Sequence, residues 1–292
     1  MGEKKQRTLA IVLLLATSVI WGSSFILIKK GLFVYSVEQV ALLRILFAYI
    51  VLLPTAIFHI KKYLKPHGWQ LFISGLTGNL IPAFLFAKAQ TQLESGITGV
   101  LNALTPLFTL LVGIFLFHLK IYRKQVAGIL IGLAGSIGLS LINKSGALGT
   151  INYFVFFVIL ASFLYGFNVN YIKRYLSDVP SVQLTGLALF FIGPPALVYL
   201  FFTDFTTRLS TQPGSLEALG YLAILGIVNT ALALILFFRL LKMTSPVVAS
   251  SVTYIIPIVA LFIGFLDGEQ FFALHFVGMA LIIGGVYIVN RR

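Results

Sequence analysis

The chain has 292 residues, of which 59% are hydrophobic and only 10% are charged, and its formal net charge is +13. A water-soluble domain typically carries about 25% charged residues, so this composition excludes a soluble globular protein and indicates an integral membrane protein. The absence of cysteine excludes disulfides and thiolate metal sites. Excess Lys and Arg is typical of the cytoplasmic loops of membrane proteins; we attribute the net charge to topology and expect no nucleic-acid partner.

Long apolar runs follow one another along the chain, separated by short charged or turn-rich segments. Continuous apolar runs of roughly 20 residues predict membrane-spanning helices, because barrel strands alternate in polarity over about 10 residues. The first run follows MGEKKQR; a signal peptide begins similarly, but this run is long for one, so we expect an uncleaved first span. A loop is predicted at 203–217. Ten spans are predicted, at residues 8–28, 38–58, 69–90, 95–117, 126–142, 152–172, 181–202, 218–238, 246–266 and 273–290.

The distribution of basic residues predicts how these helices are oriented. With the N-terminus in the cytoplasm, fifteen of the 21 Lys and Arg residues fall in cytoplasmic segments, five fall on the other face, and Arg44 lies within a span. The positive-inside rule favours this orientation, and an even number of spans places the C-terminus in the cytoplasm too. Short loops and the lack of cysteine favour a bacterial inner (plasma) membrane as the location.

The chain contains an internal repeat. WGSSFILIKKGL at 21–32 resembles YGFNVNYIKRYL at 165–176, and the third to fifth spans match the eighth to tenth when shifted by 150 or 151 residues. Residues 1–145 and 146–292 are therefore predicted to form two five-helix units. Because five is odd, the second unit enters the membrane from the opposite side. Such inverted repeats build many secondary transporters, with the substrate site between the repeats.

Several motifs, taken together, resemble a known family. They are WGSSFILIK, LLRILFA, the Pro-centred segments GVLNALTPLFTLLVGIFLF and SVTYIIPIVALFIGFLDGE, and the Gly-rich segments VAGILIGLAGSIGL and FVGMALIIGGVYIV. In this order and in duplicate, they are similar to EamA-type transporters of the drug/metabolite transporter superfamily. The resemblance implies an all-α bundle of ten transmembrane helices around a central cavity, and movement of small organic solutes, often export of amino acids or related metabolites. Family members often place an acid after each Pro-centred helix; Glu269 takes that place in the second unit, but His118 stands there in the first.

Polar and aromatic residues inside the predicted spans are candidates for contact with a solute, because such groups are costly in a bilayer. The same residue types also join membrane helices through hydrogen bonds. Since they recur at equivalent depths in both units, we predict that they line a substrate-binding cavity. The candidates are Trp21, Asn79, Phe86, Thr98, Asn102, Tyr165, Asn168, Asn229, Thr253 and Tyr254.

Three further residues each have two interpretations. Arg44 either binds an anionic group of the substrate or extends to the outer surface near Glu38. Pro106 and Pro257 each remove a backbone hydrogen bond within a span, and are either gating hinges or static bends; their equivalent placement favours hinges. The glycine-rich segments allow close helix contact, either within one protomer or in a homodimer, and we expect a monomer.

These features predict a secondary transporter that exports amino acids or related metabolites by alternating access, with a small-molecule substrate and the lipid bilayer as its partners. A membrane-embedded enzyme and a channel are the alternatives, but the sequence has no H-E-x-x-H, G-x-S-x-G or P-loop motif and no recognisable selectivity filter. We expect no catalytic residue, metal or cofactor. No acid or histidine is predicted at mid-depth, which favours facilitated diffusion or exchange over proton coupling, unless Glu38, Glu94 or Glu269 takes part at the outer rim.

Overall fold

A computed structural model describes residues 3–117, 123–142, 146–148 and 151–290 of the chain. Within them the regular structure is helical, apart from an isolated antiparallel bridge between Ile142 and Leu148. The α-helices are, in chain order, α1 (Glu3–Gly22), α2 (Ser24–Leu32), α3 (Val37–Gly75), α4 (Ile81–Ala89), α5 (Ser95–Asn102), α6 (Thr105–Phe117), α7 (Arg123–Ser140), α8 (Val155–Tyr175), α9 (Ser181–Phe201), α10 (Phe205–Thr211), α11 (Ser215–Gly226), α12 (Ala233–Met243), α13 (Pro246–Ser250), α14 (Ile256–Leu266) and α15 (Ala273–Asn290).

The exterior of the bundle is apolar and much of its polar content is buried. Seven helical stretches of the described chain are long and apolar enough to cross a membrane, and two shorter apolar helices accompany them, Val126–Leu139 and Ala273–Gly285. Phe58, Phe115 and Phe202 are exposed, whereas most asparagines within the helices are buried. A bilayer favours this arrangement. The prediction of an all-helical membrane protein is confirmed; the count of ten spans and the inverted arrangement of the units stay predictions.

One helical stretch, Val37–Ala89, is long enough to cross a membrane twice. A Cβ atom added to Gly193 of α9 would meet the Tyr49 ring, and one added to Gly75 would meet the carbonyl oxygen of Ala188. The two contacts on α9 are therefore only about 8 Å apart along its axis, whereas a straight helix would separate residues 49 and 75 by about 39 Å. The stretch must bend sharply between its two arms, and two prolines lie in the segment that joins them.

Helix irregularities occur in pairs at one constant offset. The π-helical segments Leu76–Leu80 and Ile227–Leu232 begin 151 residues apart. The helices α5 and α13 also begin 151 residues apart, at 95 and 246, as do α6 and α14, at 105 and 256. This offset is the one that relates the two halves of the sequence. Because π-helical turns are rare and often mark functional sites, the paired breaks indicate where such a site lies.

The two mid-span prolines lie in the first turn of new helices. Pro106 is the second residue of α6 and Pro257 the second residue of α14, positions where the missing N–H costs no hydrogen bond. Before α6 the chain makes a turn at residues 103–104, and before α14 it makes a 3₁₀ turn over Ser251–Tyr254. Each proline therefore begins a second helical segment instead of bending one continuous helix.

Glycines bring α7 and α15 into close contact within the chain. A Cβ atom on Gly135 would lie 2.7 Å from the carbonyl oxygen of Gly278, and one on Gly285 would lie 2.5 Å from the carbonyl oxygen of Gly128. Small residues allow this approach because no side chain intervenes. In contrast, Gly138 of α7 has no such neighbour within 4 Å.

The predicted loop at 203–217 is in part helical, which corrects that prediction. The helix α10 begins after Asp204, whose carboxylate accepts a hydrogen bond of 2.8 Å from Arg208 one turn later. Arg208 also donates to the carbonyl oxygen of Val34 at 2.9 Å. These contacts fix α10 to the turn that follows α2, so a polar sequence forms an ordered helix outside the apolar spans.

Candidate functional site

A cavity lies where the paired helix breaks meet. The centre of a water molecule can occupy about 70 Å³ of it, and a single water needs roughly 10–15 Å³ on that measure, so there is space for several. Irregular backbone at membrane depth is tolerated where it lines a cavity. The lining side chains come from both halves of the chain: Trp21, Ser24, Phe25, Ile28, Arg44, Gly78, Asn79, Phe86, Asn102, Thr105, Tyr165, Asn168, Val169, Leu234, Phe237, Phe238, Ser250 and Thr253.

Aromatic rings form one wall of this cavity. The ring centroids of Trp21 and Phe237 are 4.9 Å apart, and Phe86 lies 5.7 Å from Phe25 and 5.8 Å from Tyr165, the last in a stacked arrangement. Such pairs favour a fixed geometry and add to the apolar area that a ligand can cover. The wall therefore suits the ring or aliphatic body of an amphipathic solute.

Hydrogen bonds hold Trp21 in place beside the second π-helical segment. Its indole Nε1–H donates to the carbonyl oxygen of Asn229 at 3.0 Å. The Asn229 amide in turn donates to the carbonyl oxygen of Ile20 and to the Ser23 hydroxyl. Asn229 therefore joins α1 to the π-helical segment and stands behind the cavity wall, since it is not among the lining residues.

Arg44 is the only charged side chain among the lining residues of the described chain. Its Nε–H donates to the Thr230 hydroxyl at 2.8 Å, and that hydroxyl donates to the carbonyl oxygen of Leu225 at 2.9 Å. The Tyr165 hydroxyl also lies near the guanidinium. Arg44 of the first half is thus held between groups of the second half, at the wall of the cavity.

Three asparagine amides line the cavity and differ in how many hydrogen bonds they form with the protein. Asn102 accepts a hydrogen bond from Thr105 at 3.3 Å, and Asn168 accepts one from Thr77 at 3.4 Å. Asn79 as a whole is only 6% exposed, and its side chain forms no hydrogen bond with any described residue. Because Asn79 lines the cavity with its amide donors and acceptor unused by described residues, it is the strongest candidate for contact with a ligand. Asn170 differs, because it donates to two backbone carbonyls.

The structure brings most of the sequence-predicted site residues together but places three of them elsewhere. Thr98 donates to the carbonyl oxygen of Glu94 in its own helix, Asn229 joins two helices as described, and Tyr254 lies outside the lining. Those around the cavity are Trp21, Asn79, Phe86, Asn102, Tyr165, Asn168, Thr253 and Arg44. Their contact with a solute stays a prediction. Sequence reasoning missed Phe25, Phe237 and Phe238, which are apolar residues in apolar runs.

Five charged residues form an ion cluster at one end of the bundle. Lys29 Nζ lies 2.9 Å from Asp267, 2.9 Å from Glu269 and 3.7 Å from Glu94, and Lys30 contacts Asp267. The Glu269 side chain has no exposed surface. Its two oxygens accept backbone hydrogen bonds of 2.9 Å from Ser95 and Gly96, at the N-terminus of α5. The cluster therefore ties α2 and α5 of the first half to the turn after α14 of the second.

The surroundings of Glu269 and Asp267 keep both carboxylates ionised. Burial by itself would raise the pKa of Glu269, but hydrogen bonds from Ser95, Gly96 and Lys29 hold that pKa below its ordinary value. Burial also opposes ionisation of Asp267, and the neighbouring Lys30 and Lys29 lower its pKa overall. Both acids are therefore charged at neutral pH.

Lysines near the other end of the bundle bind backbone carbonyls. Lys173, the repeat counterpart of Lys29, donates to the carbonyl oxygens of Leu241 at 3.1 Å and Thr244 at 2.8 Å. Lys242 donates to the carbonyl oxygen of Val179. His118, which stands at the repeat position of Glu269, lies outside the described residues. Within the described ranges no group of three His, Cys, Asp or Glu side chains could hold a metal ion.

Comparison with known proteins gives a family match over almost the whole chain. The model of the EamA-like transporter family matches residues 8–141 and again 152–291. A relative from Escherichia coli K12, named "Uncharacterized inner membrane transporter YedA", is 29% identical, over 95% of this chain and 89% of its own length. A solved structure with 18% identity has a TM-score of 0.65 over 96% of each chain, which shows a shared fold.

Two further relatives carry more specific names. The "Probable amino-acid metabolite efflux pump" of Salmonella typhimurium LT2 is 26% identical, over 94% of this chain and 93% of its own. The "Probable terminal-alkyne amino-acid exporter" of Streptantibioticus cattleyicolor is 24% identical, over 97% of this chain and 94% of its own. These names, like that of the family, describe transporters and not enzymes.

Proposed function

Because the chain belongs to the EamA-like transporter family and is a membrane transporter, we propose that it exports small organic solutes, amino acids or related metabolites, through the central cavity by alternating access. One observation carries this proposal: a cavity lined by the Asn79 amide, which has no described partner, lies where paired helix breaks of the two halves meet. Discontinuous helices at a repeat interface form the substrate sites of many secondary transporters. The names of the two exporter relatives support the substrate class.

The proposal places the protein in a bacterial inner membrane with both termini in the cytoplasm and its two five-helix units inverted. The distribution of Lys and Arg supports this orientation, and the name of the Escherichia coli relative supports the compartment. In this orientation the ion cluster lies on the outer face. The conformation described here is then closed to the outside by contacts between the two units.

Opening to the outside requires Glu269 to part from Ser95 and Gly96, because these contacts join the two halves above the cavity. The segments that begin with Pro106 and Pro257 follow breaks in the helices, so they can tilt without breaking a continuous ladder of hydrogen bonds. We propose that they act as the hinges. The contacts of Glu269 hold the conformation that is closed to the outside. When they break, the paired helix breaks allow the segments to tilt into the conformation that is open to the outside.

The charge distribution favours facilitated diffusion or exchange over proton coupling. A proton-coupled carrier usually has an ionisable acid or histidine along its pathway, and none of the described cavity-lining residues is of that type. Glu269 and Asp267 have lowered pKa values, so neither releases and takes up a proton near neutral pH. The solute gradient itself then supplies the driving force.

Entrance counterflow into proteoliposomes tests the proposal and requires no imposed ion or pH gradient. Liposomes loaded with one unlabelled solute from a panel of amino acids and related carboxylates take up its radiolabelled form by exchange. Asn79→Leu should abolish saturable counterflow and leave the melting temperature near that of wild type, because no described partner is lost. Counterflow equal to that of protein-free liposomes for the whole panel would contradict the proposal.

Asn170→Leu is the matched control. Its amide donates to the carbonyl oxygens of Thr109 at 2.8 Å and Gly166 at 2.9 Å, so its loss should destabilise the fold by about 1–3 kcal/mol. The folded fraction of this variant should still catalyse counterflow. Equal thermal destabilisation by Asn79→Leu and Asn170→Leu would show that Asn79 serves packing and does not bind a ligand.

A further inference from the structure

We propose that the cavity selects organic monoanions: a carboxylate binds Arg44 and Asn79, and an apolar body lies against the aromatic wall. The inference rests on the proposed function and narrows its substrate class to amino-acid metabolites without a free ammonium group. It follows from the charges, donors and rings that the structure places together.

The charge balance of the cavity is +1, with no acid to offset it. All eight Asp and Glu residues of the sequence lie away from the lining. Three of them, Glu94, Asp267 and Glu269, belong to the ion cluster. Three more have partners outside the cavity: Asp178 binds His67, Asp204 binds Arg208, and Glu217 accepts a hydrogen bond from Tyr221. The last two, Glu3 and Glu38, lie in the first turns of α1 and α3. A charge inside a membrane protein is costly unless it is paired. The missing counter-charge is what an anionic ligand would supply.

The Arg44 guanidinium has donors to spare for such a ligand. It carries five N–H groups in a planar fork; its Nε–H is used by Thr230, and the Tyr165 hydroxyl lies near another donor. No acidic side chain among the described residues lies within ion-pair distance of it. Because the described hydrogen bond to Thr230 uses only the Nε–H, the Nη–H groups remain for a carboxylate, which a guanidinium can bind in a bidentate manner.

Asn79 provides a second polar contact. The Asn79 residue is only 6% exposed, it lines the cavity, and its side chain has no described hydrogen-bond partner. An amide N–H₂ can donate to a carboxylate, and the amide oxygen can accept from a hydroxyl next to it. The same site offers little to a cation, because its acceptors are all neutral: amide oxygens, hydroxyls and ring faces. A ring face stabilises an ammonium group by about 0.5–2 kcal/mol, which does not replace the lost hydration of a buried ion.

Four ligands that share a phenyl ring and differ in charge test the inference. They are 3-phenylpropanoate (anion), phenylalanine (zwitterion), 2-phenylethylamine (cation) and 3-phenylpropanol (neutral), and their binding to the protein in lipid nanodiscs is measured by calorimetry at pH 7. We expect 3-phenylpropanoate to bind about tenfold or more tightly than each of the others, since it alone gains a charge-assisted bidentate contact without burying an ammonium group that the site leaves unpaired. Arg44→Gln should remove this preference and Arg44→Lys should retain part of it. Arg208→Gln, which removes a surface guanidinium, is the control and should leave the preference unchanged.

Each other outcome refutes a defined part of the account. Binding of phenylalanine or 2-phenylethylamine as tight as that of 3-phenylpropanoate overturns the anion site, as does no binding of 3-phenylpropanoate or a preference that survives Arg44→Gln. If the anion site is overturned but phenylalanine or 2-phenylethylamine shows counterflow, the proposed carrier function still stands. Binding of 3-phenylpropanoate at Arg44 without any counterflow of it overturns the carrier and leaves the anion site.

Discussion

Replacing Glu269 by Gln should weaken the closure that the ion cluster provides. The substitution preserves shape and one carbonyl oxygen, but its amide N–H₂ must then face one of the backbone N–H groups of Ser95 and Gly96, which the carboxylate now accepts. It also removes the 2.9 Å ion pair with Lys29. Lys29 keeps Asp267 at 2.9 Å, so the loss is partial.

The expected cost follows from these contacts. A buried N–H left without an acceptor costs about 1–3 kcal/mol, and a hydrogen bond to a charged group contributes about 1.5–3 kcal/mol. Because Lys29 retains a partner, we expect a net loss of about 1.5–3 kcal/mol in the closed conformation. At 1.4 kcal/mol per factor of ten, the fraction of molecules open at this end rises roughly 10- to 150-fold.

Single-cysteine labelling measures this change directly, since the chain has no cysteine of its own. Ser24→Cys places one thiol in the cavity wall, and a membrane-impermeant maleimide is applied from the Lys29 end. The labelling rate should rise with Glu269→Gln by the factor given above. The control is Glu217→Gln, an exposed acid bound only to Tyr221 among the described residues, and it should leave the rate unchanged. An unchanged rate in a folded Glu269→Gln protein would refute the idea that the cluster closes the cavity.

Two further predictions concern stability. Gly135→Ala should lower the melting temperature strongly, because its Cβ would lie 2.7 Å from a backbone oxygen of α15. Gly138→Ala in the same helix has open space around it and should be neutral or stabilising by up to about 1 kcal/mol. Equal effects of the two substitutions in a thermal-shift assay would refute the described packing. The ion cluster should stabilise the fold above the unfolded-state pKa values of its acids, about 3.9–4.3, and lose this effect as the pH falls through their lowered folded-state pKa values. The melting-temperature difference between wild type and Glu269→Gln should therefore stay constant from pH 6 to 8 and shrink below about pH 4, and a difference that disappears near pH 6 would contradict the assignment.

Sequence reasoning found the cavity residues that the repeat marks. Trp21 and Tyr165 stand out because they occupy matching positions in two similar motifs, and Asn79 and Asn102 because an amide inside an apolar run is conspicuous. These residues line the cavity. Phe237 and Phe238 carry no such contrast, since a phenylalanine within an apolar helix is indistinguishable from one that faces lipid.

Three features of the site were not predicted from the sequence: the position of Thr98, the helix breaks and the ion pairs between the two halves. Thr98 lies in α5 one turn before Asn102, and its hydroxyl donates to the carbonyl oxygen of Glu94, a contact within the helix that the sequence pattern does not distinguish from one with a solute. The π-helical segments leave no compositional signal, so the breaks themselves could not be predicted. Contacts between Lys29 and Glu269 join residues 240 apart in sequence, a pairing that only the packing of the two halves determines.

The most direct test of alternating access is two-sided labelling of Ser24→Cys in membranes of known orientation. An impermeant maleimide is applied separately to each face, with and without a transported solute. We predict that the thiol reacts from both faces, that the solute slows both reactions, and that Glu269→Gln speeds labelling from the outer face only. Reaction from one face alone, in wild type and in Glu269→Gln, would show that the cavity never opens to the other side and would contradict the proposed carrier.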